Sequence, residues 1–191
     1  IGFCLVGSEM CIRDRPRPVF LVGTKSPDGV KNLAPMSSIN ILSNSPPLIS
    51  MSISTDRGGR VRDTLSNIRE AENGCRVSIH CLRGDMIGAA DVQAAARPGP
   101  RETSEWDLIS GSAIHDTSGD LLSSAIATIH TKVVEIMKLP ESSKAFLVIM
   151  LAESLATIPN SEKPTSRLVQ ISNRVLSGSS DGSTWKYELD W

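Results

Sequence analysis

The chain has 191 residues, 40% of them hydrophobic and 21% charged, which suffices for one domain with its own core. Lys plus Arg number 20 and Asp plus Glu 21, so the net charge is near zero and argues against a nucleic-acid or anionic-membrane surface as the main partner. No apolar run reaches the roughly 18 residues that span a bilayer, and no CxxC pair or zinc-type Cys/His spacing occurs.

The first fourteen residues stand apart. Residues 5–14 read LVGSEMCIRD, which is similar to one reading frame of a transposon-library sequencing adapter. Residues 1–14 are therefore read as a non-native scar, and residues 15–191 as one domain that is truncated at its N-terminus. A signal peptide is the rival reading, but no basic region precedes the apolar run, which is short. Two of the four cysteines, Cys4 and Cys11, fall in this segment. The other two, Cys75 and Cys81, sit in an apolar stretch and read as buried thiols, so a reducing cytoplasm is the expected location. Deleting residues 1–14 is expected to leave thermal stability and ligand affinity unchanged. A large fall in melting temperature would show that the segment is part of the domain.

Residues 19–24 (VFLVGT) read as a strand, Ser26-Pro27-Asp28-Gly29 as a tight turn, and residues 30–38 as the returning strand of a hairpin. Pro46 and Pro47 break the chain. In residues 48–54, Leu48, Ser50, Ser52 and Ser54 alternate with Ile49, Met51 and Ile53, the period of a half-buried strand whose serine face leaves room for a ligand. Val61, Leu65 and Ile68 give a helical stripe over 62–72, with Asp63 or Thr64 as N-cap and Gly74 as stop. A strand over 76–81 and an alanine-rich helix over 85–96 follow. Residues 97–120 read as a polar excursion with a short helix near Trp106. Residues 125–137 and 145–157 form a long antiparallel hairpin about a turn at 140–143. Segments 168–171 and 185–189 read as short closing elements, and 177–183 as a loop. Many strands with two or three helices predict a mainly β, antiparallel barrel with helices at its ends.

The chemistry concentrates in residues 16–68. Residues 57–64 (RGGRVRDT) supply Arg57, Arg60 and Arg62, two glycines and a helix N-terminus. Free N–H groups, the positive dipole end and guanidinium groups together suit a phosphate. A solvated loop with a local cap is the plainer reading of this segment taken alone. Ahead of it, residues 32–40 (NLAPMSSIN) set amide, hydroxyl and backbone donors at a strand end.

In order, the pieces are Pro16-Arg17-Pro18-Val19, Asp28-Gly29, Asn32 to Asn40, Pro46-Pro47-Leu48, Arg57, and Arg62-Asp63-Thr64-Leu65-Ser66-Asn67-Ile68. This succession resembles the flavin reductase-like domain family, an FMN-binding split β-barrel that includes the flavin-reducing component of nitrilotriacetate monooxygenase. The resemblance implies a homodimer with FMN near the subunit interface. It implies that Asn32, Ala34, Pro35, Ser37 and Ser38 line the flavin, that Ser52 and Ser54 face it, and that Arg62 and Thr64 hold its phosphate with Arg57 contributing. It also implies an NAD(P)H-dependent oxidoreductase that passes hydride from nicotinamide to flavin, with an oxygenase or another acceptor as partner. A flavin-binding electron carrier without a nicotinamide site, and a barrel that has lost flavin, stay open. The chain departs from the family at Ser38-Ile39, at Met150-Leu151 and at Ser78, where an aromatic pair, Gly-Glu and Asn are common.

No side chain is nominated as catalytic, because the cofactor carries this chemistry. His80, His115 and His130 lie on separate elements and read as structural. Trp106 reads as a loop anchor ahead of a stacking platform. Neither a GxSxG elbow nor a Rossmann glycine signature is present.

Overall fold

A computed structural model describes residues 17–55, 58–71, 74–116, 119–157, 167–172, 175–178 and 184–186. The proposed scar at 1–14, Arg57, and most of the two segments 179–183 and 185–189 lie outside the described residues or have no described side chains.

The strands are β1 (Arg17–Pro18), β2 (Phe20–Lys25), β3 (Lys31–Met36), β4 (Ile39–Asn44), β5 (Pro47–Ser54), β6 (Arg76–Leu82), β7 (Ala113–Asp116), β8 (Gly119–Leu122), β9 (Ala125–Lys138), β10 (Ala145–Thr157), β11 (Leu168–Ser172), β12 (Val175–Gly178) and β13 (Thr184–Lys186). Among the described residues two α-helices interrupt them, α1 (Asp63–Glu70) and α2 (Met86–Ala95), with a 3₁₀ turn at Glu105–Asp107.

The main sheet has seven antiparallel strands in the order β3-β2-β6-β9-β10-β5-β4. Its outermost strands, β3 and β4, are neighbours in sequence, joined only by Ser37 and Ser38. The chain therefore passes from one edge of the sheet to the other across these two residues, and this closes the barrel. A reciprocal pair of bonds extends the β4-β5 ladder into this link: Ser52 N donates to Ser38 O at 3.1 Å, and Ser38 Oγ donates to Ser52 O at 2.5 Å. A smaller sheet, β1-β11-β12-β13, and the β7-β8 hairpin lie outside it.

Alternation along the strands sorts side chains into two cores. Val22, Met51, Val77, Ile79, Val148 and Met150 fill the barrel, and Leu65 and Ile68 of α1 join them. Leu21, Leu33 and Leu82 point the other way and pack with Val92 of α2, Leu122, Leu168 and Leu176. β2 thus faces a core on both sides, which explains why its sequence is almost continuously apolar. The β2-β3 turn forms as the sequence predicts, with Gly29 at φ +92° and Ser26 Oγ accepting from Val30 N.

The mainly β barrel agrees with the sequence reading; several details differ. Residues 39–44, which carry no clear strand signal, form β4. The excursion over 97–120 contains the β7-β8 hairpin besides the short helix near Trp106. Ser177 and Gly178 belong to a strand and not to a loop.

Candidate functional site

α1 begins where the chain leaves the barrel after β5, so its N-terminus opens beside β3. Arg62 occupies the N-cap position without a side-chain cap, correcting the expectation that Asp63 or Thr64 fills this role. Both are engaged elsewhere. Asp63 Oδ2 pairs with Arg60 at 3.2 Å. Thr64, 1% exposed, has its Oγ1 accepting from Asn32 Nδ2 at 3.1 Å.

That bond belongs to a buried chain of polar side chains. Thr24 Oγ1 accepts from Asn32 Nδ2 at 3.3 Å and from Asn67 Nδ2 at 3.1 Å. Asn67 Oδ1 accepts from Arg101 at 3.1 Å, and Arg101 also binds the Glu70 carboxylate, holding that acid below its ordinary pKa. The chain ties β2, β3 and α1 to the excursion. It gives Asn67, in the middle of the DTLSNI helix, a structural task; sequence reasoning missed both this and Thr24, since the partners lie 43 residues apart.

Beside this network lies a cavity of about 160 Å³. Asn32, Ala34, Pro35, Arg62 and Thr64 line it, together with Arg60, Arg97, Asp63 and Glu105. Half of the ten residues nominated from sequence therefore meet around one opening at the start of a helix. Arg62 is fixed there by its Nε, which donates to Ser54 O at 3.1 Å. Ser37, Ser38, Ser52 and Ser54 do not line this cavity: Ser38 and Ser52 bond each other at the β3-β4 link, Ser37 is half-buried beside them, and Ser54 is exposed. Within the serine face, Ser50 is buried and donates to Asn40 O. Arg57 lies outside the described residues.

Glu105 was not singled out from sequence. Its carboxylate accepts from Leu33 N at 3.0 Å, satisfying an edge-strand amide of β3. Burial raises its pKa, and that backbone bond opposes the rise. Three arginines against two acids leave the cavity with a positive balance suited to an anion.

A second, larger cavity of about 290 Å³ is lined mainly from β2, β6, β8 and β9, with Trp106, Ser78, Asp120 and His130 in its wall. His80 beneath it is fully buried, with Nδ1 2.8 Å from Thr128 Oγ1 and Nε2 3.1 Å from Ser78 Oγ. Burial holds it down to about 3, so it is neutral at neutral pH. His80 thus behaves as a structural group of β6. Trp106 packs edge-to-face on His80, ring centroids 5.4 Å apart. Cys75 is buried and Cys81 half-buried; both are free thiols whose pKa values burial raises.

This split barrel, with a cationic cavity at the head of α1, is the architecture of a flavin-reductase-type domain. The sequence profile described as "Flavin reductase like domain" matches residues 12–172, and the chain belongs to that family. It is 44% identical over 94 residues to the protein YwrF of Bacillus subtilis, covering 49% of this chain and 44% of that one. It is 37% identical over 90 residues to an uncharacterised protein of Halalkalibacterium halodurans, covering 47% and 41%. The matches thus span less than half the length of these curated relatives. Among solved structures, nitrilotriacetate monooxygenase component B from Bacillus cereus superposes with a TM-score of 0.69 at 23% identity, over 92% of this chain and 86% of that one. The 2-nitrobenzoate 2-nitroreductase NbaA of Pseudomonas fluorescens gives 0.71 at 18% identity, over 94% and 89%. An FMN-binding protein from Thermus thermophilus gives 0.67 at 17% identity, over 85% and 86%. At these identities the likeness is one of fold.

Proposed function

We propose that the chain is an FMN-binding, NAD(P)H-dependent oxidoreductase of the flavin reductase type, and that the cavity at the head of α1 takes the flavin phosphate. The convergence of Asn32, Ala34, Pro35, Arg62 and Thr64 on that cavity carries the reading. The residues fit the group: unpaired amides of a helix start, an uncapped N-cap position and guanidinium groups form a donor set for a dianion. Bound there, FMN supplies a ring that accepts a hydride from a reduced nicotinamide and passes the electrons on. The chain's own part is to hold the phosphate with Arg62 and the first turn of α1. Asn32 and Thr64 are kept in place by the Thr24 network. The names of two structural neighbours, a monooxygenase component and an FMN-binding protein, support flavin as cofactor and an oxygenase as one acceptor class.

The visible spectrum tests this. Purified protein mixed with FMN is expected to turn yellow on the protein and to bleach anaerobically with NADH or NADPH. Yellow protein that neither donor bleaches is an electron carrier, and protein that takes up no FMN is a barrel without flavin.

Two further results are expected. Exposed large apolar side chains stand on three strands of one half of the main sheet, Ile41 and Leu42 on β4, Val134 and Met137 on β9, and Leu155 on β10. They support a homodimer with an apolar interface. Sedimentation at micromolar concentration should show a dimer; a monomer that retains FMN contradicts it. Glu105→Gln keeps an acceptor for Leu33 N while removing a negative charge from the cavity. FMN affinity should rise by about 3- to 10-fold, about 1 kcal/mol for a screened charge pair. Unchanged affinity would place the phosphate away from Glu105.

A further inference from the structure

Four adjacent strands of the main sheet carry a cation at the same level. Lys31 of β3 is paired with Lys25 of β2. Two residues beyond the Gly23–Ser78 pair, on the same face, stand Lys25 and Arg76 of β6. Arg76 is paired in turn with Lys132 of β9. At the usual strand spacing this row runs about 14 Å across the sheet. Like charges set directly opposite one another destabilise a sheet, and few acids answer them. Asp120 binds Lys31 at 2.6 Å and Glu153 stands 3.9 Å from Arg76. Among the described residues, neither Lys25 nor Lys132 forms an ion pair.

The row borders the 290 Å³ cavity, whose wall includes Lys25, Lys31 and Arg76 with Ser78, Trp106 and His130. Gly23 keeps that wall open to its neighbours: a Cβ there would overlap Ser78 Oγ and touch the indole of Trp106. Lys31 Nζ lies 6.0 Å from the Trp106 ring centroid, so cation and aromatic surface belong to one cleft. An extended row of cations suits a chain of phosphates better than a single carboxylate, and an indole beside it suits a heterocyclic base.

We propose that this cleft binds a nucleoside diphosphate group, either as the free nucleotide or as the ADP half of an adenine dinucleotide. Lys25, Lys31 and Arg76 hold the phosphates and Trp106 packs on the base. The cleft shares no lining residue with the cavity assigned to the flavin phosphate, and its assignment does not depend on that reading.

Calorimetric titration of the full chain with ADP, adenosine and NADH at low salt tests it. ADP is expected to bind at least about tenfold more tightly than adenosine, the difference being the phosphate contacts. The doubly substituted Lys25→Ala/Arg76→Ala protein, altered only at exposed positions, should lose about tenfold or more in ADP affinity while keeping its adenosine and FMN affinities and its melting temperature. Trp106→Phe, which keeps an aromatic ring, should retain ADP binding. If NADH binds more tightly than ADP, and the double substitution weakens it equally, the cleft serves the dinucleotide; tighter ADP assigns it to the free nucleotide. Equal binding of ADP and adenosine, or an ADP affinity untouched by the double substitution, overturns the proposal. So does an equal loss of FMN, which would make the row part of the flavin's own site. Loss of FMN binding in wild-type protein with ADP binding intact would count against the flavin reading alone.

Discussion

Arg62→Ala should weaken FMN binding by about 10- to 150-fold and leave riboflavin binding near its wild-type value. The two ligands differ in the phosphate, so the difference between them isolates that group. A charge-assisted contact is worth roughly 1.5–3 kcal/mol, and about 1.4 kcal/mol is one decade in affinity. Arg62 is well placed for such a contact, because its bond to Ser54 O fixes the side chain at the cavity and lowers the entropy lost on binding. Arg62→Lys keeps the charge without the planar fork and should fall between wild type and Ala. Fluorescence titration of both flavins against the three proteins measures this. Equal weakening of FMN and riboflavin would mean that Arg62 acts through the β5-α1 junction, and no weakening of either would move the phosphate toward Arg57 or Arg60.

The largest stability effect is expected at Thr24. Thr24→Val keeps the shape and removes the Oγ1 that accepts from Asn32 and Asn67. Both amides are buried, so the substitution leaves each with an unmet donor, costing about 2–4 kcal/mol together. For a chain of this size that is a fall in melting temperature of roughly 5–12 °C. Thr24→Ser restores the oxygen and should recover most of the loss. The same network bears on Thr64→Ala: because Thr64 receives the Asn32 amide and caps nothing, its loss should appear first in thermal unfolding and only secondarily in FMN affinity. Wild-type melting of Thr24→Val would show that the network contributes nothing.

Where the physics is local, the residues announce the structure. Pro27-Asp28-Gly29 fixes the first hairpin because a turn with positive φ needs only its own residues. β5 shows its period because one face meets a core and the other does not. β4 was not legible for the converse reason. It is an edge strand with Ile41 75% exposed, so no buried face stamps an alternation on it. The head of α1 misleads for another reason. Asp-Thr before an apolar stripe is sound capping chemistry, but a buried amide 32 residues upstream takes the Thr64 hydroxyl, and tertiary satisfaction outweighs a local cap. The ordered succession of short pieces pointed to Asn32, Ala34, Pro35, Arg62 and Thr64, which the fold does gather. It could not show that Ser38 and Ser52 spend their polar groups on each other, or that Glu105 enters from the excursion 72 residues beyond Leu33.

The joining of β3 to β4 through Ser37 and Ser38 has a consequence for how the barrel assembles. A sheet that closes between strands far apart in sequence must bring distant chain segments together in its last step and meets a large loop-closure entropy there. Here the outermost strands are tethered by two residues, so their joined ends, Met36 and Ile39, stay within about 11 Å of each other even in the unfolded chain. The slow search falls instead on bringing β6 beside β2 and β10 beside β5. Both pairings enclose the stretch that holds β3, β4 or α1. Once they form, the short link leaves little further chain to order at the seam.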